Sequence, residues 1–115
     1  MTAAIDEKLA ARVRDCLSNA DDMREQRMMG ALCFMVNGHM CCGVTGSALM
    51  VRVGRDAYEA ALAEDHVRPM QISGRKPRGF VLVDPPGTKS EQSLNGWIAR
   101  GRDFVSTLPA KPEAG

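Results

Sequence analysis

Four cysteines and a run of methionines hold most of the soft chemistry in this chain, and they crowd into one short stretch. Cys33 and Met35 precede the dipeptide Asn37-Gly38, and Met40, Cys41 and Cys42 follow it. Asn-Gly between two apolar runs is the preferred two-residue type I′ turn, because both central residues need positive φ. It therefore predicts a hairpin over Ala31–Val44 in which Val36 faces His39, Met35 faces Met40, Phe34 faces Cys41 and Cys33 faces Cys42. That register places Cys33, Met35, Met40 and Cys42 on one face. Cys33 and Cys42 become a candidate redox pair, because opposed non-hydrogen-bonded residues approach to about 4.5 Å between Cα atoms, near the lower limit for a disulfide. Two thiolates and two thioethers would also suit Cu(I). Core packing is the plainer reading, since cysteine and methionine are ordinary apolar fillers of a half-buried sheet.

The other chemistry-bearing residues are less suggestive. Cys41-Cys42 is not a zinc motif, because adjacent strand residues point to opposite faces and no second ligand pair follows at metal spacing. His39 is expected to be a solvated residue beside the turn, with no sign of a thiolate–base pair with Cys41. His66 fits the end of a helix, where a cation is favoured. Arg75-Lys76-Pro77-Arg78 sets three cations in four positions on a Gly-flanked loop, a candidate phosphate-contacting patch to which Arg24 and Arg27 would add. Asp84, Glu91, Asp21 and Asp22 are placed to offset it, and solvated loop cations are the commoner case. Gly74-x-x-x-x-Gly79 lacks the Lys-Ser/Thr of a phosphate-binding loop.

The elements that must carry these residues follow from periodicity. Ile5, Leu9, Val13, Cys16 and Leu17 recur at helical spacing, predicting a helix over residues 2–18. Residues 24–29 read as a first strand or its approach, with Gly30 bending the chain before the hairpin. Ala48–Val53 alternates as a further strand, and a short helix runs from Arg55 to about Asp65 or His66. Pro69–Ile72 is a weak strand and Phe80–Val83 a firm one, ended by Pro85-Pro86. Thr88-Lys89-Ser90-Glu91 has capping-box spacing ahead of the stripe Leu94, Trp97, Ile98, Phe104, Val105 and Leu108, which predicts a C-terminal helix. Gly96 and Gly101 each lower its intrinsic propensity by about 1 kcal/mol relative to alanine. The expected fold is α+β, an antiparallel sheet with flanking helices in the order α-β-β-β-α-β-β-α. One domain over residues 1–108 and a disordered tail over 109–115 are expected.

Composition bounds the partners. With 115 residues the chain can bury its own core without disulfide or metal staples. A net charge of +1 gives no general field for polyanions, so any nucleic-acid binding needs a local patch. No apolar stretch approaches a membrane span and the first residues do not resemble a signal peptide, so the expected location is the cytoplasm, with free thiols and no membrane.

Arg27-Met28-Met29-Gly30-Ala31-Leu32-Cys33-Phe34-Met35-Val36-Asn37-Gly38-His39-Met40-Cys41-Cys42-Gly43-Val44, followed by Leu49–Val53, Gly79–Val83 and Trp97, resembles the N-terminal domain of the TfoX/Sxy family. The family's basic-Met-Phe-Gly-Gly pattern appears here with Met29 in place of the phenylalanine and Ala31 in place of the second glycine. The resemblance implies an α+β domain without catalytic residues or cofactors, in a family associated with natural competence and with the cyclic-AMP receptor protein at promoters. It covers the N-terminal domain alone, so a stand-alone regulatory or interaction module is expected. Arg27, Met28 and Met29 are then the candidate interaction surface for a protein partner, a transcription regulator or a second copy of the chain, with Gly30, Asn37 and Gly38 as its structural turn residues. Direct nucleic-acid binding through Arg75, Lys76 and Arg78, and a thiol or metal sensor using Cys33 and Cys42, are the alternatives.

Overall fold

Asp6 starts the first helix. Its carboxylate accepts the backbone N–H groups of Lys8 at 3.0 Å and Leu9 at 3.1 Å, satisfying two donors that the first turn leaves without partners. The computed structural model describes residues 5–20, 22–28, 30–71 and 74–109. In it α1 spans Glu7–Cys16 and buries Leu9, Ala10 and Val13. The expected helix start at residue 2 gives way to this cap; residues 1–4 lie outside the described range.

Four strands follow where three were expected. β1 spans Met23–Met28, β2 Ala31–Val36, β3 His39–Thr45 and β4 Ala48–Arg52. β1 exposes Arg24, Glu25, Gln26 and Arg27 and so shows no apolar alternation; its pairing with β2 makes it a strand. Gly30 has φ 77°, and Met28 pairs with Ala31 across that turn. Asn37 and Gly38 have φ of 53° and 82°, as the type I′ turn demands.

The register beyond that turn differs from the expected one. Val36 pairs with His39 and Met35 with Met40, but Phe34 then pairs with Cys42 and Cys33 with Gly43. Cys41 is the extra residue of a β-bulge. A bulge sets two residues against one, so both Cys41 and Cys42 turn into the helix-side core while Cys33 stays on the opposite face. The candidate pair Cys33 and Cys42 is therefore overturned: the two residues are neither opposed nor on one face.

The rest of the chain closes the sheet. α2 covers Arg55–Leu62, and its last turn gives way before His66, whose φ is 68°. β5 is Val67–Pro69, upstream of the expected Pro69–Ile72, and Ile72 is outside the described residues. β6 is Phe80–Val83. Pro85–Thr88 forms a 3-10 turn, and Ser90, not Thr88, caps α3 (Glu91–Ser106) by accepting the Ser93 N–H at 3.0 Å. Thr88 is instead buried, its hydroxyl donating to the Pro85 carbonyl. The spacing signal was two residues early because the consecutive prolines tighten into their own turn first.

The described residues thus form an α+β fold of three α-helices and a six-stranded antiparallel sheet, ordered β1-β2-β3-β4-β6-β5. All three helices bury their apolar stripes on one face, where Leu9, Val13, Phe34, Val44, Leu49, Val81, Leu94 and Ile98 meet. The other face carries no helix among the described residues. There Cys33, Met50, Met70 and Leu82 are buried among Met28, Met35, Met40 and Phe80.

Candidate functional site

The helix-free face collects Cys33 and most of the described methionines. Of the predicted set, Cys33, Met35 and Met40 share this face and Cys42 does not; Met28, Met50 and Met70 join them. Alternation along β1, β2 and β4 delivers Met28, Cys33 and Met50, and the segment leaving β5 delivers Met70. Sequence reasoning missed Met28, Met50 and Met70 because the partner strands on either side of the hairpin were not fixed by it.

Burial and hydrogen bonding shift the four thiols in different directions. Burial pushes the Cys33 thiol up, and Cys42, hydrogen-bonded to Cys41 and enclosed with it, is held well above the ordinary thiol range. Cys16 is half-buried, and burial followed by the nearby Glu91 carboxylate raises it too; its sulfur lies 2.7 Å from the Asn95 side-chain oxygen. All four cysteines are free. Cys41 alone is shifted the other way: its hydrogen bond with Cys42 lowers it against the effect of burial, with a smaller contribution from Arg102. It is fully buried, whereas nucleophilic work needs an accessible lowered thiol beside a positioned base.

His39 is a correction. Expected in solvent, it is 8% exposed, with Nε2 2.6 Å from the carbonyl oxygen of Pro109. A carbonyl only accepts, so Nε2 carries the proton and donates it. The histidine ties the chain beyond α3 back to the hairpin. No local pattern announces this contact, since its partner lies 70 residues away. Among the described residues no group of three or more His, Cys, Asp or Glu side chains is disposed to hold a metal.

The basic loop is exposed as expected. Arg75, Lys76 and Arg78 lie between Gly74 and Gly79, whose φ values are 78° and 101°, and no described acidic side chain pairs with them. Their expected neutralisers are engaged elsewhere: Asp84 binds Arg68 at 3.1 Å and Glu91 binds Arg12 at 3.1 Å, while Asp22 pairs with Arg24 at 3.2 Å. Asp21 is outside the described residues. Nor do the aromatic rings offer free faces for bases. The Arg52 guanidinium stands 5.4 Å from the Phe80 ring centroid and 5.3 Å from that of Phe104, and Arg100 covers Trp97 at 4.1 Å.

β1 is one of the two edges of the sheet, the short β5 being the other, and is bonded to β2 on one side only. Arg14 grips Glu25 there with two bonds, at 2.5 and 2.8 Å, and holds that carboxyl below the usual range. Arg27 stands farther out, 3.8 Å from Glu7, with both side chains about seven-tenths exposed. Met28 turns from the edge into the sulfur-rich face. Met29 is outside the described residues.

No helix among the described residues is long and apolar enough to cross a membrane. Comparison with curated proteins gives no match, and comparison with solved structures gives none either. The sequence pattern of the TfoX N-terminal domain, by contrast, matches residues 15–105, from the end of α1 through all six strands to the last turn of α3. The chain belongs to the TfoX N-terminal domain family.

Proposed function

We propose that this chain is a cytoplasmic, non-enzymatic regulatory module that binds a protein partner along the outer edge of β1. The observation that carries this reading is the edge itself: a six-residue strand, hydrogen-bonded on one side only, that presents Arg24, Gln26 and Arg27 to solvent. Free strand edges template pairing, and charged residues on them discourage indiscriminate association while favouring a partner of complementary charge. The edge also carries Arg27 and Met28, the described part of the family's basic-Met pattern. A transcription regulator, as the family suggests, or a second copy of this chain would suit such a surface.

The test is to recover what co-purifies with the tagged protein from its own cells, with and without nuclease, at two salt concentrations. A protein that survives nuclease and is lost with Arg27→Glu supports the reading; a partner indifferent to that change removes β1 from it. A second reading, nucleic-acid binding through Arg75, Lys76 and Arg78, rests on their exposure without acidic partners. It requires affinity that falls steeply with salt and weakens when these three are replaced.

A further inference from the structure

The helix-free face holds a pocket of about 130 Å³ lined by Met28, Ala31, Cys33, Met40, Thr45, Met50, Met70, Gln71 and Leu82. We propose that this pocket is a binding site for a single soft monovalent metal ion, Cu(I), held by Cys33 and the thioethers of Met40 and Met50, with Met28 and Met70 closing over it.

The sheet register creates the pocket. Cys33 pairs with Gly43, and Gly43 pairs in turn with Met50, so a thiol and a thioether flank a residue with no side chain. The Met50 methyl occupies the space above that glycine: a Cβ built there would stand 2.7 Å from Met50 Cε and 3.4 Å from Cys33 Cα. Gly43 thus lets Met50 fold down toward Cys33, while the small Ala31 and the long unbranched methionines line the pocket itself. Without the glycine, the two sulfur-bearing residues would be separated by a side chain.

Chemistry selects the occupant. Five of the nine lining residues carry sulfur and none carries a carboxylate or imidazole, which disfavours hard and borderline divalent ions. Thioethers and thiols are the ligands of choice for Cu(I). The volume is well below the roughly 300–1,000 Å³ of pockets that enclose organic ligands. The methionines are unevenly divided: Met28, Met35, Met40, Met50 and Met70 collect on this face, while the helix-side core, which holds Cys41 and Cys42 among Leu, Val, Ile and aromatic residues, has only Met23 at its margin among the described residues. On binding, Cys33 releases its proton to solvent and joins the metal as thiolate, so affinity rises with pH.

The pocket is tested by titrating the reduced, full-length protein anaerobically with Cu(I) against a chromogenic Cu(I) chelator. In parallel, Ag(I) is added to protein carrying 13C-labelled methionine methyl groups. One ion per chain, with the Met28, Met40, Met50 and Met70 methyl signals shifted and that of Met23 unmoved, is expected. Met40→Leu and Met50→Leu keep the volume and remove the sulfur. Each should weaken binding tenfold or more, since perturbing even an outer-shell partner of a metal costs about 10–100-fold. Cys16→Ser should leave affinity unchanged. No retention against the chelator, unshifted methyl signals in these four residues, or binding abolished by Cys16→Ser would each overturn the proposal. The methyl readout uses the unaltered chain, so it decides even where a variant fails to fold.

Discussion

Gly101 of α3 lies directly against the bulged residue Cys41 of β3. A Cβ at position 101 would stand 2.7 Å from the Cys41 carbonyl oxygen and 3.1 Å from its sulfur, so only glycine lets the helix settle this closely. Backbone cannot yield as a flexible side chain can. Gly101→Ala should therefore destabilise the protein by about 1–3 kcal/mol, the usual cost of overpacking. Gly96, on the solvent side of the same helix, meets nothing within 4 Å, and Gly96→Ala should stabilise by about 0.5–1 kcal/mol. Urea unfolding of the two variants should move the midpoint in opposite directions.

The bulge also decides which thiols can meet. Cys33 lies on the helix-free face and Cys42 in the helix-side core, so mild oxidation should produce no bond between them. Cys33, Cys41 and Cys42 are at most 2% exposed and Cys16 is only half-buried. A small thiol reagent should modify Cys16 first in the native protein and reach all four after denaturation. A Cys33–Cys42 disulfide seen by peptide mapping of the oxidised native protein would contradict this register.

Enclosure of Cys33 links stability to pH with a definite sign. Burial raises its folded-state pKa above the unfolded value. Below the unfolded thiol pKa, near 8.5, both states are protonated and the contribution is complete; above it the unfolded chain loses the proton first, and stability falls as pH rises. The urea midpoint should decline between about pH 8.5 and the higher folded value. Cys33→Ala should show a shallower decline than the native protein, whatever its absolute stability.

Much of the fold is legible in the sequence where a local rule has no competitor. Asn37-Gly38 fixes the hairpin turn because few other residues accept two successive positive φ values, and the Leu94–Val105 stripe fixes α3. β1 is only partly legible: residues 24–29 read as a first strand or its approach, but solvent-facing Arg24–Arg27 carries no alternation, and pairing with β2 decides the strand state. The Cys41 bulge is not legible. Period-2 counting assumes uninterrupted pairing, and the bulged Cys41 packs against Gly101 of α3, a contact far downstream in sequence and invisible to any local window. The sulfur-rich face shows the same limit: period 2 sets Cys33, Met35 and Met40 on it, the bulge takes Cys42 away, and Met28, Met50 and Met70 depend on neighbouring strands.

The Asn37-Gly38 turn provides a control for the stability of the sheet as distinct from its surface. Gly38 has φ 82°, where a Cβ is strained, so Gly38→Ala should cost about 1–2 kcal/mol. It should do so by unfolding, without changing the affinity of whatever the folded sheet binds.

Arg27 should behave in the opposite way. Its pairing with Glu7 is 3.8 Å long and exposed on both sides, and such pairs contribute about 0–1 kcal/mol. Arg27→Glu should thus leave the urea midpoint nearly unchanged. It sets a like charge beside Glu7 and reverses the sign of the β1 edge at its most exposed cation. If that edge docks a protein, capture of the partner should fall several-fold with the fold intact, and adding Glu7→Arg, which re-forms an opposite-charge pair, should leave capture low. Equal losses of midpoint and capture would instead make Arg27 a structural residue of the α1–β1 contact, and the docking surface would have to lie elsewhere on the sheet.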